Sequence, residues 1–104
     1  MAEKVIWSAA AREDLRAIAA YIAQDNLTLA ESYCLQLIEF ADTAGDFPRL
    51  GRVVPEVEDE NVREILKPPY RIIYELSQDQ PRPVIMRIWH GARGTPEITR
   101  PSST

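Results

Sequence analysis

Two apolar stripes at helical spacing, almost abutting along the chain, constrain this sequence more than any other feature. Ala11, Leu15, Ile18 and Ile22 recur at intervals of four, three and four residues and mark one face of a helix from Ala9 to about Gln24. Ser8 stands where an N-cap belongs, and Glu13 and Asp14 bring negative charge near the positive helix end. Asp25-Asn26 breaks the pattern. Thr28 with Glu31 then reads as a capping box opening a second helix. Its stripe is Ala30, Tyr33, Cys34, Leu37, Ile38, Ala41 and Ala44, closed by Gly45 and Pro48. Two helices joined by so few residues pack antiparallel as a hairpin.

The rest of the chain changes period. Lys4-Val5-Ile6-Trp7, before the helices, is β-branched and aromatic and reads as a strand. Positions 46–61 show no period, with Pro48, Gly51 and Pro55 as punctuation; long connections of this kind are often functional or ordered by a partner. Three strand-like runs follow: Val62 to Lys67, Tyr70 to Ser77, and Val84 to His90, the first two joined through Pro68-Pro69. Tyr70, Ile72, Tyr74 and Leu76 alternate with Arg71, Ile73 and Glu75, which puts Tyr70 and Tyr74 on the core face. In the last run Val84, Met86 and Ile88 alternate with Ile85, Arg87 and Trp89. It is apolar on both faces apart from Arg87, which suits a strand flanked on both sides. The order β-α-α-β-β-β predicts an α+β domain, a helical hairpin on one face of an antiparallel sheet of three to four strands. The opposite face then carries Arg71, Glu75 and Arg87 or Trp89. The segment after Arg93 is expected to be loosely held, leaving an ordered core of about residues 3–93.

Length and composition narrow the function classes. With 104 residues the chain is one domain. Its single cysteine, Cys34, excludes an internal disulfide and a multi-cysteine zinc site, and its single histidine, His90, excludes a His-rich one. On the apolar stripe, Cys34 reads as a small buried residue rather than a nucleophile. No phosphate loop or metal-ligand spacing is present, so no metal and no cofactor is assigned. The longest apolar run is far shorter than a membrane span, and the start does not resemble a signal peptide, so a cytoplasmic location is expected. The net charge of −4 hides an asymmetry, −7 up to Asn61 and +3 beyond it. The basic half is arginine-rich, the side chain suited to bidentate grips on phosphate or carboxylate. The overall acidic balance disfavours tight general binding of nucleic acid.

Val5-Ile6-Trp7-Ser8 followed by Ala11-x-x-Asp14-Leu15-x-x-Ile18-x-x-Tyr21-Ile22-Ala23 resembles the opening of the RelE/ParE superfamily of toxins from type II toxin–antitoxin pairs. Later landmarks agree in order: Phe47-Pro48-x-x-Gly51-Arg52-x-x-Pro55-Glu56, Arg63-Glu64, Tyr70-Arg71-Ile72-Ile73-Tyr74-Glu75 and His90-Gly91-Ala92-Arg93. The resemblance implies a growth-arresting toxin, of the kind tied to plasmid stabilisation, neutralised by a cognate antitoxin. It also implies a hetero-oligomer that binds operator DNA through the antitoxin. ParE-like members poison DNA gyrase; RelE-like members cut messenger RNA on the ribosome. An inactive toxin-like binding module is a third reading.

By the resemblance, Arg71 matches an arginine of the RelE-like site and Arg93 lies near a second. Cleavage by 2′-OH attack needs a base, an acid and positive charge on the phosphate. His90 and Glu64 are the candidate proton-transfer groups. The bland alternatives are an ion pair of Arg71 with Glu75 or Glu64, and a hydrogen-bonded, structural His90. Two departures favour the ParE-like branch. Lysines are only Lys4 and Lys67, and Gly94-Thr95-Pro96-Glu97-Ile98 after Arg93 lacks the tyrosine that RelE-like members place there. For the antitoxin, Ala19, Ala20 and Ala23 leave a shallow groove beside the first stripe, and Trp89 is a candidate anchor, with core packing as its alternative.

Overall fold

The computed structural model describes residues 3–99. Strand β1 (Ile6–Trp7) leads into helices α1 (Ala9–Ala23) and α2 (Leu27–Asp46), and strands β2 (Arg52–Val53), β3 (Val62–Lys67), β4 (Tyr70–Glu75) and β5 (Val84–His90) follow. A short 3₁₀ turn, Gly91–Arg93, comes last. The five strands form one sheet in the order β1-β5-β4-β3-β2. Every neighbouring pair is antiparallel except β1 with β5. The α+β architecture expected from periodicity is present, with five strands rather than three or four. Strand β1 falls within the run Lys4 to Trp7 read as a strand; the one not foreseen is β2, whose two residues are too few to carry a readable period.

Ser8 caps α1 as expected, its Oγ accepting from Ala11 N–H at 3.1 Å and donating to the Met86 carbonyl at 3.0 Å. That second bond ties the helix start to β5. The cap of α2 is Asn26 rather than Thr28: Asn26 Oδ1 accepts from Leu29 N–H at 2.9 Å, so Thr28 lies inside the first turn. Gly45 does not stop α2 but sits within its last turn. A Cβ there would meet the Lys4 carbonyl at 2.5 Å, so glycine permits the chain entering β1 to pass close by.

The sheet has a core on each face. On the helix side Leu37, Ala41, Ile72, Tyr74, Ile85 and Ile88 pack with the α1 stripe. On the other, Val54, Val62, Ile73, Met86 and Trp89 are buried beneath Val57 and Ile98. Strict alternation in β5 fails at a bulge: Ile73 pairs with Arg87 but Tyr74 with Ile85. The extra residue puts Met86 with Trp89 on one face and Ile85 with Ile88 on the other, instead of Met86 with Ile88. In the segment expected to be loose from residue 94, contacts to β5 and the second core involve Gly94, Glu97 and Ile98. Trp89 Nε1 donates to the Gly94 carbonyl at 3.0 Å, Arg87 Nη1 to the Glu97 carbonyl at 2.8 Å, and Ile98 packs on the second core. The remainder of that expected tail, residues 100–104, lies outside the described residues. Among the described residues no helix is long and apolar enough to cross a membrane.

Candidate functional site

Strand register brings the charged candidates together on the face away from the helices. Arg52 of β2 lies opposite Glu64 of β3, and Arg71 of β4 opposite Leu66. With a side-chain period of two, Arg52, Glu64 and Arg71 then share a face as near neighbours. Glu64 is closed off from solvent and held from both sides: Oε2 accepts from Arg52 Nε and Oε1 from Arg71 Nε, each at 2.6 Å. The two terminal nitrogens of Arg71 form a fork on Glu56, Nη1 to Oε2 at 2.8 Å and Nη2 to Oε1 at 2.7 Å. All three donor nitrogens of Arg71 are thus engaged, and its side chain is 13% exposed.

This answers the two readings of Arg71. Its partners are Glu64, as the bland reading allowed, and Glu56, which sequence reasoning missed. Glu56 lies 15 residues away in the aperiodic connection, where no period indicates which strand it faces. Hydrogen bonds from Arg71 pull the Glu56 carboxyl down to about 2, while those from Glu56 and then Glu64 raise the Arg71 guanidinium further. A carboxyl with a depressed folded-state pKa contributes stability that is complete above its unfolded value and lost as pH falls through the folded one. Glu56→Gln is therefore expected to destabilise the domain at pH 7 by about 1 kcal/mol, discounted because Glu56 is partly exposed. The difference from wild type should shrink below pH 4.5 and vanish near pH 2, checked by chemical denaturation across that range.

The other candidates do not join this cluster. Arg93 is exposed and lays its guanidinium over the Trp89 ring, 4.0 Å from the centroid; Arg87 lies 4.9 Å from the same centroid. His90 is on the helix side with Tyr70, whose ring it meets edge-on at 5.2 Å, and Tyr70 in turn meets Tyr33 at 6.1 Å. His90 Nδ1 accepts from Ala92 N–H at 3.0 Å and so caps the 3₁₀ turn, the structural role expected of a histidine before a glycine turn. The sheet therefore separates His90 from Glu64 and Arg71. Burial raises the Tyr33, Tyr70 and Tyr74 phenols and the Cys34 thiol, which leaves none of them activated as a nucleophile. Among the described residues no three His, Cys, Asp or Glu side chains gather where they could hold a metal.

On the outer face of the hairpin, Ala19, Ala20 and Ala23 of α1 and Leu27, Ala30, Glu31 and Cys34 of α2 line an apolar depression of about 420 Å³. The three alanines thus share a groove, and Leu27 rises at its rim with 65% exposure. Trp89 is no part of it. At 2% exposure it belongs to the second core, across the sheet from the helices, so its packing alternative holds and it presents no anchor on this surface.

Known proteins resemble this arrangement over nearly the whole chain. Residues 5–94 match the model of the ParE toxin of the type II toxin–antitoxin system parDE. Toxin RelE2 of Caulobacter vibrioides is 34% identical over 90 residues, covering 86% of this chain and 97% of that protein. A structure described as the chromosomal ParDE TA system from P. aeruginosa superposes with a TM-score of 0.66 at 20% identity, covering 86% of this chain and 98% of its own, which establishes likeness of fold. With its helical hairpin, its five-stranded sheet and a family match running from Val5 to Gly94, this chain belongs to the ParE toxin family of type II toxin–antitoxin systems.

Proposed function

We propose that this toxin arrests growth by binding DNA gyrase in the ParE manner, without a chemical step of its own, and is neutralised by an antitoxin seated on the helical hairpin. One observation carries the reading: the arginine and carboxylate that RNA cleavage would need are consumed by each other. Arg71 already spends one N–H of each of its three nitrogens on Glu64 and Glu56 and is 13% exposed, so a phosphate would have to displace Glu56 to take its fork. Glu64, closed off from solvent between two guanidiniums, has no path to a ribose hydroxyl. His90 lies across the sheet from both.

The deciding experiment adds purified toxin to gyrase, plasmid and ATP, then scores linear DNA after detergent and protease. Linear DNA should accumulate and disappear when the antitoxin is supplied. Its absence with folded, antitoxin-binding toxin would refute the gyrase reading. The RelE-like alternative draws support from the name of the C. vibrioides relative and from the exposed Arg93, stacked on Trp89; cuts in messenger RNA on translating ribosomes, lost in Arg93→Ala, would establish it.

The antitoxin seat makes a separate prediction. Small side chains let another helix approach closely, and the groove on α1 and α2 is lined by four alanines. Ala20→Glu places a charge there without touching either core. The expected result is at least about tenfold weaker antitoxin binding with an unchanged melting temperature, measured by calorimetry and circular dichroism. Operator DNA binding by the complex should weaken in parallel, since the DNA contacts are assigned to the antitoxin.

A further inference from the structure

The turn after α2 has an unusual construction. Phe47 is 64% exposed and Leu50 is 63% exposed, and Arg49 between them is exposed as well. Single exposed apolar residues are ordinary on any surface. What sets these apart is the scaffolding beneath them. Leu50 N–H donates to the Phe47 carbonyl at 2.9 Å, closing a tight turn with Pro48 in the position where its fixed φ favours turning. The fully buried Tyr74 reaches up from β4, its hydroxyl donating to the Pro48 carbonyl at 2.7 Å and accepting from Gly51 N–H at 3.0 Å. Arg63 Nη1 donates to the Gly51 carbonyl at 2.9 Å and reaches the Arg49 carbonyl at 3.4 Å. Gly51 is required by this closeness: a Cβ would stand 2.6 Å from both the Glu64 carbonyl and the Tyr74 hydroxyl.

So a buried tyrosine hydroxyl and an arginine hold the backbone of a turn whose two large apolar side chains remain in water. A turn pinned in this way cannot fold back to bury them. Rigid presentation of large side chains lowers the ordering cost of association, which is how interface hot spots gain their strength. We infer that Phe47 and Leu50, with Arg49 between them, form the knob by which this toxin engages its target protein, entering an apolar pocket rimmed by carboxylates. The carboxylates follow from charge complementarity, since the exposed Arg49 lies between the two apolar residues and the 54%-exposed Arg52 follows Leu50 by two residues. The inference rests on the reading that the toxin acts by binding a target, and supplies the surface that does so. It is separate from the groove on the hairpin: from Cys34, the groove residue on α2 nearest the turn, the helix rises about 20 Å to its cap Phe47.

The test compares wild type with Phe47→Ser/Leu50→Ser in three measurements: growth arrest on induction, capture of the antitoxin, and thermal melting. The expected double variant melts like wild type and still captures the antitoxin, yet no longer arrests growth, and its affinity for purified gyrase falls at least about thirtyfold. Growth arrest by the folded double variant would overturn the inference, and so would loss of antitoxin capture, which would make the knob part of the antitoxin seat. If the double variant does not fold, Arg49→Glu decides, since that side chain takes part in none of the bonds above; undiminished arrest by it also overturns the inference. Growth arrest reads out the knob whatever the target, whereas linear DNA in the gyrase reaction reads out the target. Wild type that arrests cells without linearising plasmid would thus defeat the gyrase reading and leave the knob to be judged on growth arrest alone.

Discussion

Glu64→Ala should unfold this domain well before it could reveal anything about chemistry. Glu64 is shut off from water with one carboxylate oxygen on Arg52 and the other on Arg71. Removing it strands Arg71, 13% exposed, with Glu56 as its remaining charge partner, and takes from Arg52 the carboxylate that its Nε grips. Breaking a buried ion pair from one side costs about 3–5 kcal/mol, because the orphaned charge stays desolvated. For a domain of this size that lowers the melting temperature by more than about 12 °C. Glu64→Gln keeps the shape and one acceptor and should fall between alanine and wild type. Pairing Glu64→Leu with Arg71→Met removes both charges at once and should recover much of the loss. Melting curves of the three variants check this. A Glu64→Ala protein that melts within a few degrees of wild type would show that the clasp is not structural and would reopen Glu64 as a functional carboxylate.

Asp14→Ala is expected to loosen the join between helix and sheet. Asp14 Oδ2 accepts from Arg87 Nε at 2.8 Å and from Ile88 N–H at 2.9 Å, and Oδ1 from Arg87 Nη2 at 2.9 Å. Strand β1 covers β5 only at Val84 and Ile85, so beyond that point the outer edge of β5 relies on a side chain for its hydrogen bond. Alanine leaves the Ile88 amide unpaired and Arg87, 15% exposed, without its carboxylate, a cost of about 3 kcal/mol. Asp14→Asn retains an acceptor for the amide and should lose about half as much. An opened strand edge also invites pairing between chains, so the alanine variant should aggregate more readily on heating. Light scattering during the melt reads the second effect. Equal stability of the two variants would show that the amide bond contributes nothing.

These two carboxylates show where sequence reasoning reached and where it stopped. Asp14 reads from the sequence as a charge near the start of a helix; in the structure it bonds to a strand 73 and 74 residues away. Glu64 reads as a carboxylate beside Arg63, whereas its partners come from β2 and β4 and Arg63 turns to the carbonyls of Gly51 and Glu60. The groove fared better, because Ala19, Ala20 and Ala23 lie within five residues on one helix and their common face follows from helical geometry alone. The turn at Phe47 gave only the cue of Pro48 and Gly51. That its apolar residues stay exposed depends on Tyr74, reaching it from 23 and 26 residues away.

From sequence alone followed both helices, the three long strands, the α+β class and the placement of Arg71 on the face without helices. Each is written in the spacing of neighbouring residues, since a stripe or an alternation states locally which side of an element avoids water. Tertiary structure alone decided the parallel pairing of β1, the bulge that turns Met86 and Trp89 to the second core, the contacts of Gly94, Glu97 and Ile98 with β5 and the second core, and the capture of Arg71 by Glu56. Those depend on register between distant segments, where a shift of one residue exchanges the faces of a strand and with them every partner a charge can reach.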